Sequence, residues 1–291
     1  MSGVARYLAP TALADALAAL ADPRGATVLA GGTDLMPQTQ AHRVAFKPTL
    51  LNLRHITALR SVTLTADHLV LGALTTVTDL LTDQVVARHA PLLVEAAQHF
   101  ASPQIRNAAT LGGNLCNASP AGDLLPPLLA LDAEIGMSAL DAEGAVIERW
   151  LAVADFFSGP GRTQRGVSEL VTAVRVPLSA PALLTRFFKS GTRPALDIST
   201  IAIALAAQRD AQGRLHGVRL ALGAVAPTPV RARGAETLLE GQVLDDALAL
   251  QAAQCAADEI TPIDDVRASA WYRRELVRNM TQRMLSDVVH A

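Results

Sequence analysis

Two glycine pairs, Gly31-Gly32 and Gly112-Gly113, constrain this chain more than any other feature. The first closes a short run, Thr27 to Ala30, that reads as a buried strand ending in the tight turn Gly31-Gly32-Thr33-Asp34. Without a Cβ in the way, such a bend lets backbone N–H groups converge, and a nest of that kind can bind a diphosphate without a lysine. Leu111-Gly112-Gly113-Asn114 reads as a second turn of the same type. One glycine pair alone is more often a simple turn than a binding site. Two of them, each beside a Thr and an Asp or Asn, shift the balance away from simple turns. Neither fits GxxxxGK[ST] or GxGxxG, which disfavours ATP hydrolysis and Rossmann-type NAD binding. Gly159-Pro160-Gly161 looks like a phosphate loop, but Pro160 removes an N–H donor, so it reads as a rigid turn.

The 291 residues allow two domains, each able to bury an ordinary core. Hydrophobic residues make up 50% and aromatics only 3%, so that core must be built from Ala, Leu and Val. The 25 Lys and Arg nearly balance the 27 Asp and Glu, and no basic run is long enough to neutralise a row of phosphates, which excludes nucleic acid as an expected partner. Cys116 and Cys255 are too few for a disulfide framework, a zinc finger or an iron-sulfur ligand set. Cys116 itself reads as a small buried thiol with no basic neighbour to activate it. The histidines (His42, His55, His68, His89, His99, His216 and His290) show no ligand spacing, so no metal site is expected. The N-terminus lacks an apolar signal region, and the stretch from Ile198 falls short of the ~20 residues needed to span a membrane, so a soluble cytoplasmic protein is expected.

Hydrophobic spacing predicts a short helix over 11–21 capped by Thr11, a strand over Thr49 to Leu53, two strands about Ala66-Asp67, and helices at 76–82 and 91–100. From Thr110 the chain reads as a loop leading into an apolar helix-like stretch interrupted by Pro126-Pro127. A hairpin turns over Asp141 to Gly144, with Trp150 capping its small sheet. Composition changes around Pro177 to Pro181, a domain boundary. Beyond it, Thr185 to Ser190, Thr200 to Arg209 and Leu215 to Leu222 form an antiparallel meander in which Ile201, Ile203 and Leu205 alternate with Ala. Helices follow at 231–239, 244–259 and 269–287, the last with Arg273, Arg274 and Arg278 on a face that is either solvated or meets a partner.

LAGGTDLMP from Leu29, ATLGGNLCNASPAGDLLP from Ala109, FFSGPGRT from Phe156, ELVTAVRVP from Glu169 and FFKSGTRPALDIS from Phe187 occur in order over most of the chain. Together they resemble the flavoprotein subunit of molybdenum hydroxylases, the xanthine dehydrogenase and carbon monoxide dehydrogenase group. The resemblance implies an α+β fold: a vanillyl-alcohol-oxidase-type FAD-binding domain over 1–178, made of two α/β subdomains that divide near 55–60, then a C-terminal domain over 179–291 with a three-stranded antiparallel sheet and a helical bundle. It implies FAD as cofactor, with Leu29, Ala30, Gly31, Gly32, Thr33, Asp34 and Leu35 as the first diphosphate turn and Thr110, Gly112, Gly113 and Asn114 as the second. Asp123 falls where the family contacts the flavin's sugar portion; its alternative is a cap for the helix starting at Leu124. Phe100 and Ala101 fall near the adenine position, although burial alone would make Phe100 ordinary core. Val171 and Lys189 fall where the family places an apolar contact and a cation beside the isoalloxazine, and Arg162 is either a phosphate or ribose contact or a surface arginine.

The function so implied is electron transfer within a multi-subunit molybdenum hydroxylase, a heterotrimer. An iron-sulfur subunit would supply electrons, a molybdopterin-binding subunit would hydroxylate substrate, and NAD, oxygen or another carrier would accept the electrons. No catalytic acid or base is expected on this chain. A self-sufficient FAD-dependent oxidase and a noncatalytic nucleotide-binding assembly module are the alternatives, the former disfavoured by an aromatic-poor second half that offers few substrate anchors.

Overall fold

The computed structural model describes residues 3–179, 183–193 and 196–289. Its first unit is a three-stranded parallel sheet with β1 (Arg6–Leu8), β2 (Ala26–Leu29) and β3 (Thr49–Asn52) in the order β1-β3-β2. Between its strands run α1 (Leu13–Ala21) and α2 (Leu35–Gln40). Helix α1 buries Ala16, Leu17 and Leu20 against Leu51 and Leu53, as its spacing predicts. Thr11 is not its cap: Ala12 holds that position with no side-chain hydrogen bond.

The second unit begins with β4 (Val62–Leu64) and β5 (His68–Gly72) and continues through a helical layer. That layer comprises α3 (Val77–Thr82), α4 (Gln84–His89), α5 (Pro91–Gln98), α6 (Pro103–Arg106), α7 (Leu111–Asn117) and α8 (Leu125–Ala130). It returns as β6 (Glu134–Leu140), β7 (Val146–Ala152), the short α9 (Val153–Phe156), a small ribbon of β8 (Phe157–Gly159) and β9 (Arg162–Thr163), and β10 (Leu170–Pro177). The antiparallel sheet order is β4-β5-β10-β6-β7. A reciprocal box between Thr76 and Asp79 starts α3, and Asp83 caps α4, a helix absent from the sequence expectation. Pro126 and Pro127 do not interrupt α8; they stand in its first turn, where a missing N–H leaves no intrahelical bond unmade. Trp150 lies across Gly136, and the Arg175 guanidinium sits 4.4 Å from its ring centre.

The third unit is the meander β11 (Leu184–Ser190), β12 (Ile201–Arg209) and β13 (Leu215–Gly223), with a two-residue edge strand β14 (Val230–Arg231). Helices α10 (Arg233–Leu239), α11 (Asp246–Asp258) and α12 (Ala270–Val289) cover one face. The alternation in β12 has a clear use: Ile201, Ile203 and Leu205 pack with Leu239, Ala252, Val277 and Leu285, while Ala204 and Ala206 face the core of the second unit with Ala221. The small face lets α8 pack close; a Cβ on Gly223 would stand 2.7 Å from Pro126 Cγ. The predicted boundary overlaps residues 180–182, which lie outside the described residues, as does His290.

The basic face expected on the last helix divides. Arg273 is buried, its Nη2 donating at 2.7 Å to Asp265 Oδ1 and its Nη1 at 2.8 Å to the Ile263 carbonyl. Arg267 pairs with the same carboxylate and reaches the Ser199 carbonyl through Nη1 at 3.3 Å. Burial pushes Asp265 up, but hydrogen bonds from Arg273 and Arg267 outweigh it and hold the carboxyl below its usual range. With the folded pKa below the unfolded one, the pair's stabilisation is present above the unfolded value and is lost as pH falls through the folded one. Thermal unfolding should therefore lose midpoint below about pH 4, and Asp265→Asn should remove part of that slope; an unchanged slope contradicts the assignment.

Candidate functional site

A cavity of about 590 Å³ opens between the first unit, α7, and the 197–198 segment that precedes β12. The two bends meet there. Gly31 packs so closely on the backbone ahead of α7 that an added Cβ would lie 1.9 Å from the Ala108 carbonyl oxygen and 2.7 Å from its carbon. Ala30, Gly31, Gly32, Thr33, Asp34 and Leu35 all line the cavity. Gly32 takes φ +73, a conformation that costs a side-chain-bearing residue energy. Leu29 ends β2 and stays outside the lining, its carbonyl accepting the Leu53 N–H at 2.9 Å.

The second bend is not a turn of the same type. Gly112 and Gly113 form the first turn of α7, which Thr110 caps by accepting the Gly113 N–H at 3.1 Å. The Gly112 N–H donates to the Ala73 carbonyl at 2.8 Å and the Asn114 N–H to the Thr110 carbonyl at 2.9 Å. These donors are therefore engaged within the chain, whereas the N–H groups of Gly32, Thr33 and Leu35 have no acceptor among the described residues. The cradle divides its labour: the first bend offers donors, and the second offers close approach. A Cβ on Gly112 would stand 2.8 Å from the Ala73 Cβ, while Gly113 faces the cavity. The Asn114 side-chain oxygen is buried with no hydrogen-bond partner, an acceptor in the wall that awaits a donor.

Asp123 also lines the cavity, and both its oxygens are held from the third unit. Lys189 Nζ donates to Oδ2 at 2.6 Å and to the His99 carbonyl at 3.0 Å, and Ser199 Oγ donates to Oδ1 at 2.6 Å. Burial raises the Asp123 pKa, and Lys189 and Ser199 pull it back. The capping alternative fails, because Leu124 is the N-cap of α8 and no side chain caps that helix. Lys189 is absent from the lining, and its ammonium pairs with Asp123. Phe100, Ala101 and Val171 line the cavity, Ala101 in a positive-φ conformation (+37). Arg162 is exposed on β9, outside the lining.

Further lining residues come from α7 and from loops that sequence spacing left unassigned. Once Thr110 is seen as a helix cap, Gly113, Cys116 and Asn117 fall on one face by helical periodicity, a signal present in the sequence. Arg165, Asp197 and Ile198 reach the cavity only through tertiary folding. Cys116, read from sequence as a buried thiol, is exposed and faces the cavity; desolvation by its surroundings pushes its thiol up to about 11, with Arg165 pulling the other way. The basic neighbour missing in sequence is thus Arg165, yet the thiol stays protonated at neutral pH. Among the described residues no group of His, Cys, Asp and Glu is arranged to hold a metal ion, and no helix is long and apolar enough to cross a membrane.

Glycines packed to exclude a Cβ, unpaired N–H donors opposite them and an orphan acceptor fit a ligand with an anionic bridge and polar substituents. Residues 3–179 match the family described as the FAD binding domain in molybdopterin dehydrogenase, and residues 186–288 match the CO dehydrogenase flavoprotein C-terminal domain. The xanthine dehydrogenase FAD-binding subunit of Escherichia coli O157:H7 is 34% identical, covering 100% of this chain and 98% of its own length. The carbon monoxide dehydrogenase medium chain of Hydrogenophaga pseudoflava is 30% identical over 96% of this chain and 95% of that one. Among solved structures, carbon monoxide dehydrogenase from Hydrogenophaga pseudoflava superposes with a TM-score of 0.90 at 30% identity over 97% of this chain and 96% of that one. Quinoline 2-oxidoreductase from Pseudomonas putida 86 gives 0.90 at 29% identity over 99% and 97%.

Proposed function

Since the chain belongs to the FAD-binding subunits of the molybdenum hydroxylase family, an electron-transfer oxidoreductase component of multi-subunit complexes, we propose how its residues hold the cofactor and which subunits it serves. The diphosphate of FAD lies between residues 31–35 and 110–114, accepting hydrogen bonds from the free N–H groups of Gly32, Thr33 and Leu35. Asn114 accepts a hydroxyl or amide proton through its orphan oxygen. Asp123, fixed by Lys189 and Ser199, accepts a hydroxyl of the sugar portion. Phe100 and Ala101 lie by the adenine, and Val171 offers the ring an apolar contact. The single observation that carries this arrangement is the abutment of Gly31 on Ala108, which brings both bends to one cavity.

FAD when bound supplies the means to accept and release electrons; the chain positions it and sets its potential. The electrons come from an iron-sulfur subunit, which receives them from a molybdopterin-binding subunit where substrate is hydroxylated, and they leave to an acceptor. In this arrangement residues 1–178 bind FAD, residues 179–291 form the C-terminal domain, and the complex is cytoplasmic. Affinity isolation of the tagged chain from its own host tests the partners. Expected are about one FAD per chain and co-isolated chains carrying iron-sulfur clusters and molybdenum. A flavin-loaded chain isolated alone, and reduced directly by a small alcohol, would favour the self-sufficient oxidase.

A further inference from the structure

Among the described residues, four charged side chains line the cavity: Asp34, Asp123, Asp197 and Arg165. Each carboxylate has its own donors: Gln38 for Asp34, Lys189 and Ser199 for Asp123, and the Thr192 hydroxyl and Arg193 N–H for Asp197. Arg165 donates to no carboxylate among the described residues. The acid close to it in the chain, Glu169, is taken by Arg149, whose Nε and Nη2 donate to its two oxygens at 2.5 and 2.7 Å. Arg165 instead uses Nη1 alone, donating to the Gly166 carbonyl at 3.1 Å and the Glu169 carbonyl at 2.6 Å. Its Nε and Nη2 meet no acceptor among the described residues. The guanidinium is thus half-buried, anchored at one corner and hydrogen-bonded to no carboxylate among the described residues, with Glu169, already held by Arg149, acting on it only through its field. The anchor places it beside Leu170 and Val171, which line the same cavity, and its field reaches the Cys116 thiol on α7.

We propose that Arg165 is the cation facing the isoalloxazine ring of FAD, where it stabilises the reduced ring over the oxidised one. The assignment rests on the flavin lying in this cavity with its ring on Val171. Lys189, the residue that the family pattern assigns to this task, spends its charge on Asp123 instead. Uptake of two electrons and one proton leaves the ring with one negative charge, so a cation beside it binds the reduced form more tightly and raises the midpoint potential. The electrons are those of the iron-sulfur donor in the complex, or of dithionite in the test.

The test is a dithionite titration of the full FAD-loaded chain against a reference dye, for the parent, Arg165→Gln and Arg165→Lys, with ADP affinity measured on the flavin-free chain. The Gln variant should bind reduced FAD about tenfold less well relative to oxidised FAD, lowering the midpoint by about 30 mV for a two-electron couple. The Lys variant should recover most of that shift, and ADP affinity should not change. A parent-like midpoint in Arg165→Gln overturns the proposal. So does a loss of ADP affinity without a midpoint shift, which assigns Arg165 to the diphosphate. If the Gln variant loads poorly, the affinities of oxidised and reduced FAD are compared directly, and an equal loss of both also overturns it. A misplaced ring with a correctly bound cofactor gives full flavin content with an unshifted midpoint, whereas failure of the flavin site itself gives no flavin in the parent.

Discussion

Gly31→Ala is expected to purify without flavin. The added Cβ would lie 1.9 Å from the Ala108 carbonyl oxygen, a distance at which two backbones must part. Overpacking of that kind costs about 1–3 kcal/mol even where the surroundings yield. Here the neighbour is main chain at the mouth of α7, so the strain falls on the joint between the two bends. FAD affinity should drop by more than about tenfold, equivalent to 1.4 kcal/mol or more, and the thermal midpoint should fall with it. Gly113→Val provides the contrast. Its Cβ meets only the Thr110 hydroxyl, at 2.9 Å, and otherwise enters the cavity, so it should displace FAD at the cost of loosening one helix cap, with a smaller fall in the unfolding midpoint than Gly31→Ala. The ratio of flavin to protein absorbance and a melting curve for each variant check both statements, and a yellow Gly31→Ala protein contradicts the packing account.

Lys189→Met should produce the largest loss of stability. The ammonium is buried with Asp123, at 8% and 9% side-chain exposure, and the pair links the second unit to the third. Truncating one partner leaves the other charge buried with only Ser199 to serve it, a change that costs about 3–5 kcal/mol. The dependence on pH gives the signature. Burial already raises the Asp123 pKa, and removing Lys189 raises it further. A carboxyl with a folded pKa above its unfolded one carries no penalty below the unfolded value and a growing penalty as pH rises. The destabilisation should therefore be larger at neutral pH than near pH 4, and Asp123→Asn added to Lys189→Met should recover much of it. Denaturant unfolding of the single and double variants across pH decides the matter; a loss independent of pH and unrelieved by Asp123→Asn would mean that Lys189 contributes only packing.

The first bend was legible because a strand running into Gly-Gly has few other outcomes. The second was misread in kind, since a helix that opens on a Thr cap and two glycines looks locally like a turn; only the Thr110–Gly113 bond distinguishes them. Prolines at the start of α8 were mistaken for a break for the same reason, as Pro disrupts a helix interior but suits its first turn. The meander and the alternation in β12 were readable from period two, while the use of its alanine face as a seat for α8 was not, because the partner lies far off in sequence. Charge was hardest to place. Nothing in the local sequence separates Lys189, Arg165 and Arg273, yet one pairs with Asp123, one faces the cavity without a hydrogen-bonded carboxylate and one is buried on Asp265. Such differences arise from tertiary neighbours that no local pattern encodes.

The direct test of the shared cradle is a crystal structure of the protein with FAD bound. The diphosphate should lie within hydrogen-bond reach of the Gly32 and Thr33 N–H groups and against Gly113, touching both bends at once. A diphosphate held by only one of the two segments, or a flavin bound outside this cavity, would contradict the account.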